Sequence, residues 1–150
     1  DVLAGFDYVV GSVHSAFRQS EREMTRRLLR AIENPHLTML GHPTGRLLLR
    51  REGYRFDMRK VLRAAAAQGV VVEINSNPNR LDLDWRHVRS AAAMGILIAV
   101  NPDAHSVAAI RNVRFGVHMA RKAGLTAEQV LNTWSLERIT EYFAERKQSR

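Results

Sequence analysis

The fold is decided by the stretch Ile96–His105, which reads ILIAVNPDAH. Its first five residues are apolar and three of them are β-branched, which is typical of a strand buried on both faces. Pro102 lacks a backbone N–H and therefore predicts the end of that strand. Asp103 and His105 follow two positions apart, so in an extended chain both side chains can converge on one divalent cation. A plain polar strand end is the alternative interpretation.

The order of strand, polar loop and helix is predicted four times along the chain, with a unit of about thirty residues. Apolar runs predict strands at 6–14, 37–40, 70–74 and 96–100. The first three helices are predicted to begin after capping residues, which are Ser20, Asp57 and Asp84. Ser20 also forms a capping box with Glu23. This alternation predicts an α/β fold with a parallel sheet or barrel.

The last part of the chain is predicted to be helical throughout. A first helical region spans 107–123, and a second capping box at Thr126–Gln129 introduces a further helix with Leu136, Ile139 and Phe143 on one face. We expect these helices to pack on the same sheet, because 150 residues suit a single domain. The chain is therefore predicted to be one domain over 1–150.

Polar residues follow each predicted strand and precede the next helix. They are His14, His42, the pair Asn75 and Asn77, and the pair Asp103 and His105. The intervals between the first members are 28, 33 and 28 residues. In a β/α barrel these positions gather at the carboxyl ends of the strands, where such folds carry their chemistry. This regular placement is the main argument from the residues alone for a functional site.

The composition is that of a soluble globular protein, with 45% hydrophobic and 25% charged residues. The net charge of +8 comes mostly from arginine and favours anionic partners, nucleic acid first, although a GC-rich genome also enriches arginine. The absence of cysteine excludes disulfides and thiolate metal sites and suits a cytoplasmic location. No apolar run is long enough for a membrane span, so we expect no membrane association. Because it starts on Asp1, the chain is expected to be part of a longer protein.

Four motifs in this order resemble one known family. They are SVHS at 12–15, GHPTGR at 41–46, EINSNPNRLD at 73–82 and PDAH at 102–105. The chain resembles the PHP (polymerase and histidinol phosphatase) domain, in the form found at the C-terminus of bacterial and archaeal X-family DNA polymerases. The resemblance implies a distorted (β/α)7 barrel. About four βα units and extra C-terminal helices would lie in this chain, without the upstream half of the barrel.

The resemblance also implies metal-assisted phosphoester hydrolysis, with a 3′-5′ exonuclease and 3′-end processing activity on DNA. The implied metals are manganese, zinc or iron. The implied metal ligands are His14, His42, Asp103 and His105, of which Asp103 and His105 are also the catalytic candidates. Arg46 and Arg80 follow strand ends in the same loops and are predicted to contact substrate phosphate. Asn75 and Asn77 are predicted to orient the ligands by hydrogen bonds, or only to build the turn.

Glu73 lies within a predicted buried strand, and we expect it to be paired, for example with an arginine. The expected partners of the whole protein are a DNA 3′ end or another phosphoester and a polymerase domain in the same chain. We expect the isolated chain to be inactive, and to self-associate through exposed edges of its first and fourth strands. Two alternatives stay open: a stand-alone small-molecule phosphatase of the histidinol-phosphate type, and a non-catalytic module that binds DNA or braces a polymerase.

Overall fold

The computed structural model describes residues 2–148 and contains a four-stranded parallel sheet in the order β1-β2-β3-β4. The strands are β1 Val10–Gly11, β2 Met39–Leu40, β3 Val71–Asn75 and β4 Ile98–Asn101. β4 ends immediately before Pro102, as predicted from the missing N–H. The mixed α/β class and the parallel sheet are confirmed, while the seven-unit barrel stays a prediction.

Five α-helices accompany the sheet in the described part of the chain. They are α1 Glu21–Ile32, α2 Met58–Ala67, α3 Trp85–Ala93, α4 Val113–Ala123 and α5 Leu136–Gln148. The three predicted caps are confirmed: the side chains of Ser20, Asp57 and Asp84 each accept a hydrogen bond from a backbone N–H of the first turn. None of the helices within residues 2–148 combines the length and apolarity that crossing a bilayer requires.

Strands β2, β3 and β4 are buried on both faces, as their apolar residues predict, whereas β1 is partly exposed. Val70, Val72 and Ile74 pack into the larger core cluster together with residues of the first three helices. Val71 points to the opposite face, where it joins a second cluster with Phe143 of α5. The alternation follows the two-residue period of a strand. The helices on both faces exclude water from the sheet and hold the strand ends in place.

The C-terminal region differs from its sequence prediction at the second capping box. Thr126 and Gln129 do form the box, but they close only a 3-10 turn at Ala127–Gln129. Val130 then adopts an extended backbone, because it pairs with Ile98 at the edge of the sheet. A tertiary contact therefore overrides the local helix signal. The predicted helix at 107–123 likewise starts as a 3-10 turn, Ala108–Asn112, before α4.

The two edges of the sheet differ in whether another part of the chain covers their backbone groups. At β4 the side chain of Asn132 replaces a neighbouring strand: its Oδ1 accepts from Val100 N–H at 2.7 Å and its Nδ2 donates to Val100 O at 3.1 Å. The prediction of an exposed edge at the fourth strand is therefore wrong. Val10 of β1 is 43% exposed and carries no such cover among the contacts described, so self-association through the first strand stays a prediction.

Candidate functional site

The predicted site residues follow parallel strands, so they lie at the same edge of the sheet. The imidazole rings of His14 and His42 are perpendicular, with centroids 5.0 Å apart. Asn75, the last residue of β3, donates through Nδ2 to Asp103 Oδ2 at 3.1 Å. The strand ends thus meet in two pairs: His14 with His42 after β1 and β2, and Asn75 with Asp103 at the ends of β3 and β4.

His42 and Asp103 both adopt a backbone that L-amino acids rarely use. Their φ angles are +28° and +49°, in the left-handed region. His42 lies between Gly41 and Pro43, and a Cβ at Gly41 would come within 2.5 Å of Ser12 Oγ. The close approach of the first two strand ends therefore needs glycine before the histidine. Strained backbone of this kind concentrates at functional sites, where the surrounding structure holds it in place.

The buried side chain of Glu73 in β3 supports these loops from below. It is 5% exposed, and its Oε2 accepts from His42 N–H at 2.6 Å and from Asn75 Nδ2 at 3.3 Å. Its Oε1 accepts from Asn101 Nδ2 at 2.9 Å. Burial raises the pKa of Glu73, and these hydrogen bonds partly oppose the rise. The expected arginine partner is wrong: the described partners are two side-chain amides and a backbone N–H.

Sequence reasoning missed two residues that shape the site. Asn101 lies opposite Asn75 in the register of β3 and β4, so alignment of the two strands would have revealed it. Asp82 is completely buried, and its Oδ2 accepts from the N–H groups of Thr44 and Gly45, both at 3.0 Å. Burial raises the pKa of Asp82 as well. It fixes the loop that follows His42, and its place inside the 73–82 motif was the available signal.

His42 is held as a neutral imidazole with an unused nitrogen. Burial lowers the pKa of His42, and the charge of Arg80 and the neighbouring His14 lower it further, while Asp103 opposes them. Its Nδ1 is buried and has no hydrogen-bond partner. A buried polar atom of this kind is available to a ligand or an ordered water, because leaving it unpaired costs about 1–3 kcal/mol; Arg51 Nε and Asp82 Oδ1 are in the same state.

The candidate ligands have suitable donor atoms for a divalent metal, but they do not form a complete coordination site. Imidazole nitrogen and carboxylate oxygen are suitable donors, and the unpaired Nδ1 of His42 is of the right type. Within residues 2–148, however, no three His, Asp or Glu side chains are grouped so that they could hold a metal ion. Asp103 already accepts from Asn75 and lies 3.4 Å from Arg80 Nε. The His105 side chain is 84% exposed, with Nδ1 2.8 Å from Asp103 O. The four-ligand set therefore stays a prediction.

The two predicted phosphate-binding arginines have different surroundings. Arg46 donates through Nε to Arg80 O at 2.8 Å and through Nη2 to Leu81 O, and its Nη1 lies 3.6 Å from Asp84. Arg80 lies beside Asp103, and its side chain is 17% exposed. Asn77 accepts from Asn79 N–H at 3.0 Å, which builds the turn. Arg80 also donates through Nη1 to Arg46 O at 3.5 Å, so a phosphate contact of either arginine stays a prediction.

Comparison with known proteins places the chain among polymerase and phosphatase sequences. It is 39% identical over 139 residues to the DNA polymerase/3′-5′ exonuclease PolX of Bacillus subtilis, covering 93% of this chain and 24% of that protein. It is 31% identical over 155 residues to a probable phosphatase of a Thermoanaerobacter species, covering 97% of this chain and 60% of that one. A probable phosphatase of Vibrio parahaemolyticus is 28% identical over 136 residues, covering 85% and 52% of the two chains.

No family model matches the chain. The chain spans about a quarter of the length of the polymerase relative and three fifths of the first phosphatase relative. The chain is a homologue of a DNA polymerase/3′-5′ exonuclease and of probable phosphatases.

Proposed function

We propose that this chain is the C-terminal part of a PHP-type phosphoesterase domain in an X-family DNA polymerase, acting as a 3′-5′ exonuclease on DNA. The observation that carries the proposal is the His14–His42 pair at the carboxyl edge of the sheet, where the buried Nδ1 of His42 has no hydrogen-bond partner. The similarity to PolX over 93% of the chain supports the polymerase context.

In this proposal His14, His42, Asp103 and His105 would hold the metal, which would be manganese, zinc or iron. A divalent cation bound there supplies Lewis acidity that neutralises charge on the phosphoester in the transition state. The chain's own residues prepare the position. Glu73 fixes the backbone of His42, and burial keeps its imidazole neutral and able to ligate. Asn75 orients the Asp103 carboxylate through a hydrogen bond.

The first test is hydrolysis of a 3′-recessed DNA in the presence of manganese, by this chain and by a protein that includes the upstream half. The longer protein is expected to release nucleotides from the 3′ end. The chain alone is expected to stay at background, because the described residues provide no group of three ligands. Equal turnover by both proteins would contradict the expected inactivity of the chain, and no turnover by either would contradict the proposed function.

Arg80 gives a second prediction. In the longer protein, Arg80→Ala is expected to weaken binding of a 3′-recessed DNA about tenfold and to reduce the salt slope by about 1, because one phosphate contact is lost. Arg63→Ala on α2 is the matched control, since Arg63 is exposed and lies outside the strand-end loops. Anisotropy measured between 50 and 200 mM salt tests both values. Identical salt slopes for wild type and Arg80→Ala would exclude a phosphate role.

The small-molecule phosphatase is the second candidate, because probable phosphatases match 97% of this chain and a larger share of their own length than PolX does. A generic phosphomonoester in the same manganese assay separates the two. Preference for the phosphomonoester over DNA would favour this candidate. Metal content separates the third possibility, a DNA-binding or bracing module, which needs no metal.

A further inference from the structure

The loop Leu47–Arg51, here named the leucine loop, exposes an apolar side chain beside the candidate site. Leu49 is fully exposed, with a relative accessibility of 106%, and its φ is +62°. A single exposed leucine is ordinary on a protein surface. A leucine in left-handed backbone is not, because that conformation costs roughly 1–2 kcal/mol and suits glycine or asparagine. The combination makes Leu49 a candidate for a contact outside the chain.

The leucine loop is also held in place at both ends. Leu47 and Arg51 pair through N–H to O bonds of 2.8 Å in each direction. Arg51 donates to Gly45 O at 2.7 Å, and its guanidinium stacks over the Phe17 ring at 4.2 Å. Leu48 N–H donates to Asn79 O at 2.6 Å. Leu49 is therefore presented at a defined position rather than on a loose tip.

The chain around Leu49 carries the exposed Arg50 and the exposed Glu52, and it adjoins the strand ends. Arg50 follows it directly and is exposed, and Arg46 precedes the loop. Asn79, which anchors Leu48, precedes Arg80, whose guanidinium lies 3.4 Å from Asp103. An apolar tip followed by an exposed arginine complements a polyanion that also offers an apolar face. Nucleic acid has both, in its phosphates and in its unstacked bases.

We propose that Leu49 is a wedge that packs against the terminal base pair of a DNA end and separates its strands, while Arg50 binds a neighbouring phosphate. This rests on the proposed function for its DNA substrate and goes further, because it names the residue that opens the end. An exonuclease must bring one 3′ nucleotide to its site, so unstacking of the terminal pair precedes cleavage. Leucine side chains are known to act as such wedges between base steps.

The test uses this chain and a blunt duplex with 2-aminopurine at its 3′ end, whose fluorescence rises on unstacking. Leu49→Asn removes the apolar wedge and keeps the fold, because asparagine tolerates left-handed backbone. Leu136→Asn is the matched control, since Leu136 is 80% exposed at the start of α5. Wild type and Leu136→Asn are expected to raise the fluorescence. Leu49→Asn is expected to leave it at the level of free DNA and to bind about tenfold more weakly.

Three results would overturn the wedge: an equal signal from Leu49→Asn, DNA binding by wild type without a fluorescence rise, or no DNA binding at all. Self-association that disappears in Leu49→Asn, without a DNA signal, would assign Leu49 to a second copy of the chain instead. The readout needs no cleavage. A wedge signal together with a longer protein that does not cut DNA would overturn the proposed function alone, and cleavage without the signal would overturn the wedge alone.

Discussion

Replacing Glu73 with alanine is expected to lower the free energy of unfolding by about 3 kcal/mol, because three donors, two of them buried, would lose their acceptor. Those donors are His42 N–H and the side-chain amides of Asn75 and Asn101. The loss would lower the melting temperature by about 6–12 °C in a domain of this size. Chemical denaturation of the chain, monitored by circular dichroism, measures the change directly.

Two comparisons isolate the cause of that loss. Glu73→Gln keeps the shape and one acceptor oxygen, and the amide of Asn101 can turn to accept from the new NH₂ group. Its expected loss is about 1 kcal/mol. Glu145→Ala, at an exposed position of α5, is expected to change stability by less than about 0.5 kcal/mol. A Glu73→Ala protein as stable as wild type would show that Glu73 does not hold the strand-end loops in place.

The parts of the fold that depend on local chemistry were predictable from the sequence. The caps at Ser20, Asp57 and Asp84 and the stop at Pro102 each act within a few residues. The length of β1 was not, because the predicted run 6–14 pairs with β2 over only two residues. Pairing length depends on the partner strand and on curvature of the sheet, which no local pattern carries.

The candidate site was likewise predictable only in part. The strand-end rule anticipates the contact between His14 and His42, since both follow neighbouring parallel strands. It does not reveal that Glu73 pairs with amides, because that contact depends on the register between β3 and β4. Nor does it distinguish Arg46 from Arg80, since their different partners depend on how two loops pack against each other.

The buried carboxyl groups under the strand ends carry a desolvation cost that their hydrogen bonds offset. Burial raises the pKa of the Glu73 and Asp82 carboxyl groups, so the charged form of each is less stable there than in water. Their acceptor oxygens fix the loops that carry His42, Thr44 and Gly45. A site built on such groups keeps its geometry before any ligand arrives, which is what a metal ligand or a phosphate contact requires.

His42→Asn is the change with the largest expected effect on metal binding. Asparagine tolerates the positive φ of this position, so the backbone is kept while the imidazole with the unpaired Nδ1 is removed. Calorimetric titration of manganese or zinc into a protein that includes the upstream half is expected to show affinity at least about a hundredfold lower for His42→Asn than for wild type. Loss of a group that merely orients a ligand already costs about 10–100-fold. His118→Asn on α4 is the control, because His118 is exposed and follows no strand.

The dependence of stability on pH provides a check on His42 that needs no metal. Because the folded state lowers the pKa of His42, neutral imidazole stabilises the fold above the ordinary histidine pKa of about 6.5. That contribution is lost as the pH falls from the ordinary value to the lowered folded pKa, because the unfolded chain then binds a proton that the buried ring does not. Wild type is therefore expected to lose more stability than His42→Asn between pH 7 and pH 5. Parallel curves for the two proteins, together with unchanged metal affinity, would mean that His42 is a structural residue and that the proposed metal site lies elsewhere.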